Sequence, residues 1–509
     1  MTDQVARALD TPRAPWRSRL AGLAAVLAGL SLPFAFAPWG YWPLGLLSPA
    51  ALFLCWRGAA PGRAAWLGFL YGFAAFLSGT WWTYISVHEF GQAPRLLAAF
   101  LTLALAALMA GYYALLGWLA ARWLPAGGAL RWLVGLPAAW TAIEWLRGWF
   151  LSGFPWLSLG YSQTDSVLGA LAPVIGVYGV GWVCALSAGA IVALLAEDMR
   201  RRALAVAALF VVFAAAGAAG RGEWTEPAGA PVRAVMVQGA VGQDEKWLDT
   251  ALAPTRELYL ALTEPHWGAD LVIWPEAAIP ALLHQETDFI QALDARARAS
   301  GSELLLGILE RDPVRGQYHN ILLALGGTPE IYRKRQLVPF GEYFPVPAFV
   351  RRWMRLMNLP YTDFAPGRPD PSPMTLAGVR VAPTICYEDA FGAQQRVFFP
   401  GAELLVNVSN DAWFGDTVAP HQHLQIARMR AMETGRWMLR ATNNGVTAVI
   451  DPRGRVTQRS RQFVTAVVET EVTPMRGLTP WLRYGDWPLA ALAAVLVLLA
   501  ALRRNTAAL

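Results

Sequence analysis

At 509 residues the chain is too long for one ordinary domain, and its 15% charged residues fall well below the roughly 25% of soluble proteins. The net charge of +6 rests on arginine, since Lys246 and Lys334 are the two lysines of the chain. No basic stripe with interleaved aromatics runs through it, which excludes a nucleic-acid partner.

The apolar residues cluster in 20–220, while 231–485 has ordinary soluble character. Runs long enough for a hydrocarbon core of about 30 Å are predicted near 20–37, 42–56, 65–84, 96–121, 131–149, 168–196, 202–219 and 487–502. The second is short and the sixth long. Ala35-Phe36-Ala37 resembles a signal-peptide cleavage site, but Pro38 directly after it disfavours processing. Arginines mark one side of this array: Arg7, Arg13, Arg17 and Arg19 before the first run, Arg57 and Arg63, Arg122 and Arg131, Arg200 to Arg202, and Arg503 and Arg504 after the last. The positive-inside rule puts both termini in the cytoplasm. Seven preceding spans then put the soluble part in the periplasm. The expected organisation is a membrane domain over 1–219, a Pro/Gly linker over 220–230, a periplasmic domain over 231–485 and a terminal span with its tail over 486–509.

In the soluble part, strand-like runs at Arg233–Gln238, Leu271–Trp274, Leu304–Leu309, Val381–Cys386 and Leu404–Val408 alternate with helical stretches near 252–264, 287–299 and 421–436. That alternation predicts a layered α/β domain. The later runs Gly445–Asp451 and Val464–Val472 read as paired strands. Cys55 and Cys184 lie inside apolar runs and read as small buried hydrophobes.

Three segments share one form, a strand ending in an ionisable or nucleophilic residue: Leu-Val-Ile-Trp-Pro-Glu, ending at Glu276; Ile-Tyr-Arg-Lys-Arg-Gln-Leu-Val-Pro-Phe-Gly-Glu, with Lys334 and Glu342; and Val-Ala-Pro-Thr-Ile-Cys-Tyr-Glu-Asp, with Cys386, Tyr387 and Glu388. Singly, each is ordinary: a glutamate opening a helix, a lysine on a solvated face, a cysteine in a core. Together they make a set for acyl transfer. A thiol is only a few per cent ionised at neutral pH, so a carboxylate must take its proton and an ammonium must steady the resulting charge. Lys334, in a chain that uses arginine nearly everywhere else, fits a need for a compact charge rather than a planar fork. The histidines show no metal-ligand spacing, and neither metal nor cofactor is expected.

These segments resemble the nitrilase superfamily, whose Glu-Lys-Cys triad occurs in this chain order on an αββα sandwich. The whole chain resembles the apolipoprotein N-acyltransferase family within it. Val-Gln-Gly-Ala-Val-Gly-Gln-Asp-Glu-Lys-Trp over 237–247 is similar to that family's entry strand. Trp140, Glu144, Trp145, Leu146 and Arg147, followed by Gly153-Phe154-Pro155-Trp156 and Gly160-Tyr161-x-Gln163, are similar to its outer loop. The resemblance implies a multi-pass helical membrane bundle carrying a nitrilase-type sandwich. It implies Cys386 as nucleophile, Glu276 as proton acceptor and Lys334 as oxyanion stabiliser, with Trp247, Glu342, Tyr387 and Glu388 in support. The implied partners are a phospholipid acyl donor, a diacylglyceryl apolipoprotein acceptor and membrane lipids. Two other readings share the residues: a membrane-anchored amidohydrolase in which water accepts the acyl group, and a scaffold with a degenerate enzyme domain. Residues 343–361 are far more apolar than a solvent loop. Either they pack on the core, or they form a lipid-facing arm in which Trp353, Met354 and Met357 enter the interface while Arg351, Arg352 and Arg355 meet phosphates.

Overall fold

The computed structural model describes residues 15–343 and 364–506; the arm candidates Arg351, Arg352, Trp353, Met354, Arg355 and Met357 lie outside the described residues. Each predicted apolar run is helical. The first part comprises α1 (Pro15–Ser31), α2 (Leu44–Cys55), α3 (Pro61–Gly79), α4 (Arg95–Trp123), α5 (Leu136–Arg147, entered through a π-helical turn at Leu130–Gly135), α6 (Ala172–Ala196) and α7 (Met199–Ala219). A further helix, Trp487–Thr506, closes the chain. Among the described residues, three helices are long and apolar enough to cross a membrane: Arg95–Trp123, Val167–Ala196 and Met199–Ala219. Arg19–Ala35, Leu44–Cys55 and Trp487–Arg503 are shorter apolar helices.

α4 is apolar all round, with Leu96, Phe100, Leu103, Leu108 and Leu115 exposed and Ala106, Met109, Tyr113 and Leu116 buried. A helix without a polar face suits lipid on one side and protein on the other. Without a solvent-driven hydrophobic force, such helices associate through close backbone approach at small residues. A Cβ at Gly68 of α3 would sit 2.2 Å from the Tyr113 carbonyl oxygen of α4, and one at Gly117 of α4 would sit 2.4 Å from that of Ala64. Side chains there would force the two helices apart.

The soluble part builds two six-stranded sheets. The first contains β1 (Val232–Gln238), β2 (Leu271–Ile273), β3 (Glu303–Arg311), β4 (Tyr318–Leu325) and β5 (Ile331–Arg333). The second contains β6 (Met374–Leu376), β7 (Val379–Ile385), β8 (Leu404–Ser409), β9 (Met438–Thr442), β10 (Ala448–Ile450) and β11 (Val456–Arg459). A later strand, β12 (Ala466–Val472), returns to pair antiparallel with β1, so the first sheet runs β12-β1-β2-β3-β4-β5 and the second β11-β10-β9-β8-β7-β6. Both have a parallel centre, β1-β2-β3 and β7-β8-β9, flanked by antiparallel strands. The 445–451 and 464–472 runs, read as paired strands, thus lie in different sheets; the chain crosses the sandwich between them.

Side-chain alternation explains the layering. Ala234, Met236, Leu271, Ile273 and Leu305 enter the core shared with the second sheet. Val235, Val237, Val272, Leu304 and Leu306 point outward onto α8 (Asp249–Thr263) and α9 (Thr287–Ser300), where Tyr259, Ile290 and Leu293 cover them. On the other side α10 (Ala419–Thr434) is buried along nearly its whole length, because it packs between the second sheet and α6.

Candidate active site

The three predicted segments meet where strands end. Beyond β2 the chain turns through Trp274-Pro275-Glu276, and Ala277 adopts φ 46°. This turn crosses β3 at Gly307, where a Cβ would lie 2.4 Å from the Pro275 carbonyl oxygen and 2.5 Å from the Ala277 nitrogen. Glycine is what lets the Glu276 turn rest on its neighbour strand. The buried Glu276 carboxylate is held at both oxygens: Oε1 accepts from Asn320 Nδ2 (2.7 Å) and Lys334 Nζ (3.2 Å), and Oε2 from the Asn410 amide (2.8 Å).

Lys334 follows β5 and is 1% exposed. Its Nζ lies 2.8 Å from Glu342 Oε1 as well as against Glu276, and Glu342 Oε2 accepts from the Val338 amide at 2.8 Å. Burial alone would lower the ammonium's pKa. The carboxylates of Glu276 and Glu342 outweigh burial and hold its pKa well above the ordinary lysine value.

Cys386 directly follows β7 and sits at φ 53°, in the left-handed region that β-carbons disfavour. Such strain persists where the surroundings over-determine it. The bend throws the thiol off the line of the strand toward Lys334 and Glu276, its electrostatic neighbours. Burial, first, and the Glu276 charge, second, push the thiol well above its usual pKa; Lys334 and a hydrogen bond with Ser409 work in the opposite direction. The resting thiol is therefore neutral and must lose its proton as it attacks.

Glu388 joins two of these segments. Its oxygens accept from the amides of Ile385 (2.7 Å), Arg335 (2.6 Å) and Gln336 (3.2 Å), and from the Tyr332 hydroxyl at 2.9 and 3.0 Å. The lysine-bearing turn is thereby tied to the cysteine-bearing turn. Tyr387 points the other way, donating from its hydroxyl to the Gly153 carbonyl (3.2 Å) and lying against Trp156. Trp247 is 47% exposed on the loop after β1, outside this cluster of carboxylates and lysine.

The helical part reaches the site through the loop after α5. Arg147 donates to the carbonyls of Phe154 (2.5 Å) and Trp156 (2.7 Å) and to Ser158 Oγ (3.0 Å), while Glu144 accepts from the Leu159 amide at 3.0 Å. Gln336 in turn donates to the Ser152 carbonyl at 3.2 Å. Gln422 of α10 accepts from both Trp156 Nε1 (2.6 Å) and Trp82 Nε1 (3.3 Å).

Three site residues are absent from the sequence reading. Asn320 and Asn410 give no local signal, because only the sheet topology carries them to Glu276. Lys246 did carry one, as the chain's other lysine. It is buried, donates to the Glu276 carbonyl at 3.2 Å, and burial lowers it to about 8 against the pull of Glu276. Both lysines of the chain thus converge on one glutamate.

Residues 28–190 match the family described as the apolipoprotein N-acyltransferase N-terminal domain, and 233–477 match the carbon-nitrogen hydrolase family. The chain is similar to the apolipoprotein N-acyltransferase of Methylococcus capsulatus, at 43% identity over 95% of this chain and 96% of that one. It is also similar to that of Azotobacter vinelandii, at 45% identity over 97% and 96%.

Proposed function

The chain belongs to the apolipoprotein N-acyltransferase family, and from that premise we propose a two-step transfer through Cys386. As an acyltransferase of that family it transfers an acyl group from a lipid donor to a lipoprotein acceptor. In the proposed route the donor is a membrane phospholipid and the acceptor is the α-amine of an S-diacylglyceryl-cysteine at the apolipoprotein's amino terminus. The observation that carries it is the buried set in which one ammonium, Lys334 Nζ, contacts both Glu276 and Glu342 beside the strained Cys386.

In the first step Glu276 takes the Cys386 proton as sulfur attacks the ester carbonyl, and Lys334 faces the oxyanion. Collapse breaks the acyl–oxygen bond, and the lysophospholipid oxygen leaves with the proton that Glu276 held. In the second step the amine attacks the thioester and gives a proton to Glu276. The amide forms, the C–S bond breaks, and the thiol recovers that proton. Splitting one transfer into two lowers each barrier, and charge stabilisation in a water-poor site is worth far more than in water. Glu342 keeps Lys334 charged, and Glu388 holds the two turns in register. Mass spectrometry of a diacylglyceryl lipopeptide incubated with pure enzyme and phospholipid tests this. A third acyl chain on the lipopeptide is expected. Free fatty acid with an unmodified lipopeptide would mean that water is the acceptor.

The same proposal sets the orientation: an inner-membrane enzyme with both termini cytoplasmic and 231–485 periplasmic. Arginine asymmetry supports it. Reporter fusions after residues 200 and 230 are expected on opposite sides, and the same side from both would refute the topology.

A further inference from the structure

Beneath Cys386 lies a second group of ionisable side chains that the transfer steps do not use. His423 on α10 has Nε2 at 2.9 Å from Asp389 Oδ1 and 3.3 Å from the Cys386 carbonyl oxygen. Its Nδ1 lies 2.9 Å from Asp411 Oδ1. Arg440, in the middle of β9, spans both aspartates at 3.1 and 3.0 Å. Ser409 donates to Asp411 at 2.8 Å and also hydrogen-bonds the Cys386 thiol. Asn407 donates to the Cys386 carbonyl from 3.4 Å. Asp389, Asp411, His423 and Arg440 are at most 1% exposed.

We propose that His423, carried as an imidazolium between Asp389 and Asp411, is a positioning residue: it holds Cys386 in its left-handed conformation through the Cys386 carbonyl and keeps the cluster under the thiol electrically neutral. This rests on the reading of Cys386 as nucleophile. The charge count carries the protonation state. Two aspartates face one guanidinium, so a neutral imidazole would leave a net negative charge buried next to a thiol that must become anionic, and buried uncompensated charge is strongly disfavoured. One contact points the other way, since Arg440 Nη2 also lies 2.9 Å from His423 Nδ1 and would suit a lone pair there. That guanidinium nitrogen already has Asp411 Oδ2 at 3.0 Å. A bare Nδ1 would instead set two acceptors, Nδ1 and Asp411 Oδ1, against each other at 2.9 Å. The remaining neighbours of the ring, Trp156 and Phe414, are uncharged. Burial lowers the imidazole pKa, but Asp389 and Asp411 outweigh it and Arg440 to bring it to about 9. The sign follows: the folded value lies above the ordinary 6.5, so the imidazolium's contribution is complete below that value and is lost as pH rises through about 9.

The test uses the full chain in detergent or bilayer discs and follows Cys386 acylation by a fluorescent ester. His423→Gln is expected to slow acylation by about tenfold or more, one unit of thiol pKa being a factor of ten. The pH dependence of thiol alkylation should move upward with it. The double variant His423→Gln/Asp389→Asn removes a negative charge together with the positive one and should recover most of the loss. A double variant as slow as the single, with both folded by melting temperature, would reduce His423 to packing and overturn the proposal. So would wild-type acylation by His423→Gln. If neither variant folds, nitrogen NMR of histidine-labelled wild-type enzyme decides: His423 should stay doubly protonated to about pH 9, and titration near 6.5 would overturn the proposal. Failure of the underlying reading looks different. Wild-type enzyme would then show no acyl adduct that Cys386→Ala abolishes, whatever the state of His423.

Discussion

Replacing Glu388 with glutamine alters a single polar atom and should nonetheless disable the site. Every partner of the carboxylate is a donor: the amides of Ile385, Arg335 and Gln336 and the Tyr332 hydroxyl. A carboxylate accepts at both oxygens, whereas an amide accepts at one and presents N–H groups at the other. In either flip the glutamine turns a donor toward donors, on the Ile385 side or on the Arg335 and Gln336 side. Each unpaired buried main-chain amide costs about 1–3 kcal/mol, and the repelled turn moves to relieve the contact. A displacement of order 1 Å at Cys386 or Lys334 costs about 10²-fold in rate. We therefore expect Glu388→Gln to slow thioester formation by about 10²-fold with a lowered melting temperature. Glu388→Ala, which strands three amides, should destabilise by on the order of 3–5 kcal/mol once water entry is allowed for. The assay is acylation of purified variants by a fluorescent ester, read on a gel alongside thermal unfolding. Thioester formation within about threefold of wild type in Glu388→Gln, at unchanged melting temperature, would refute the clamp.

Cys386→Ser should abolish acyl-enzyme trapping, while Cys55→Ala and Cys184→Ala leave it intact; near-normal turnover by Cys386→Ser would remove the nucleophile assignment. Lys334→Arg keeps the charge but puts a longer, planar fork in place of the compact ammonium that lies 3.2 Å from Glu276 and 2.8 Å from Glu342; the displaced donor should lower acylation by about 10²-fold. Because burial and Glu276 raise the Cys386 thiol above its ordinary value, its alkylation rate should climb from pH 7 past about 9 without a plateau; a plateau near neutrality would show a pre-formed thiolate. Gly307→Ala sets a methyl group against the main chain of Pro275 and Ala277, and should cost turnover with unchanged global helix content by circular dichroism. Wild-type turnover would show that the Glu276 turn can give way.

How much of this was legible depended on the range of the signal. Long apolar runs are local, and all the predicted spans are helices within a few residues at each end. Glu276, Lys334 and Cys386 stood out because each follows a strand in a distinctive segment. The three-residue β6 was missed because so short an edge strand has no measurable alternation. β9 was missed because it is buried on both faces and carries Arg440 in its middle, which reads as a break in an apolar run. α10 was found as a helix, but its enclosure was not foreseeable: it packs against protein on every side and shows no amphipathic stripe. The partners of Glu276 and Cys386 come from Asn320 on β4, Asn407 on β8, Asn410 just beyond it and His423 on α10, and no periodicity links them.

The enclosure that hid these residues also bears on why a membrane bundle and a sandwich should form one structure. A neutral buried thiol is a poor nucleophile in water, where solvent would screen Lys334 and hydrate the carboxylates around it. The arrangement works only where few water molecules enter, and water is also the competing acceptor for a thioester. The loop after α5, pinned by Arg147 and laid against Tyr387 and Gln336, supplies part of that cover from the side of the helical bundle. α10 supplies more from within, with Gln422 bonded to indoles of the loop and of the segment after α3 on one face, while His423 meets the floor of the nucleophile. Both substrates of the proposed reaction are lipid-anchored, so a site roofed by the bundle receives them without extracting either from the bilayer. Membrane attachment and water exclusion are then achieved by the same contacts.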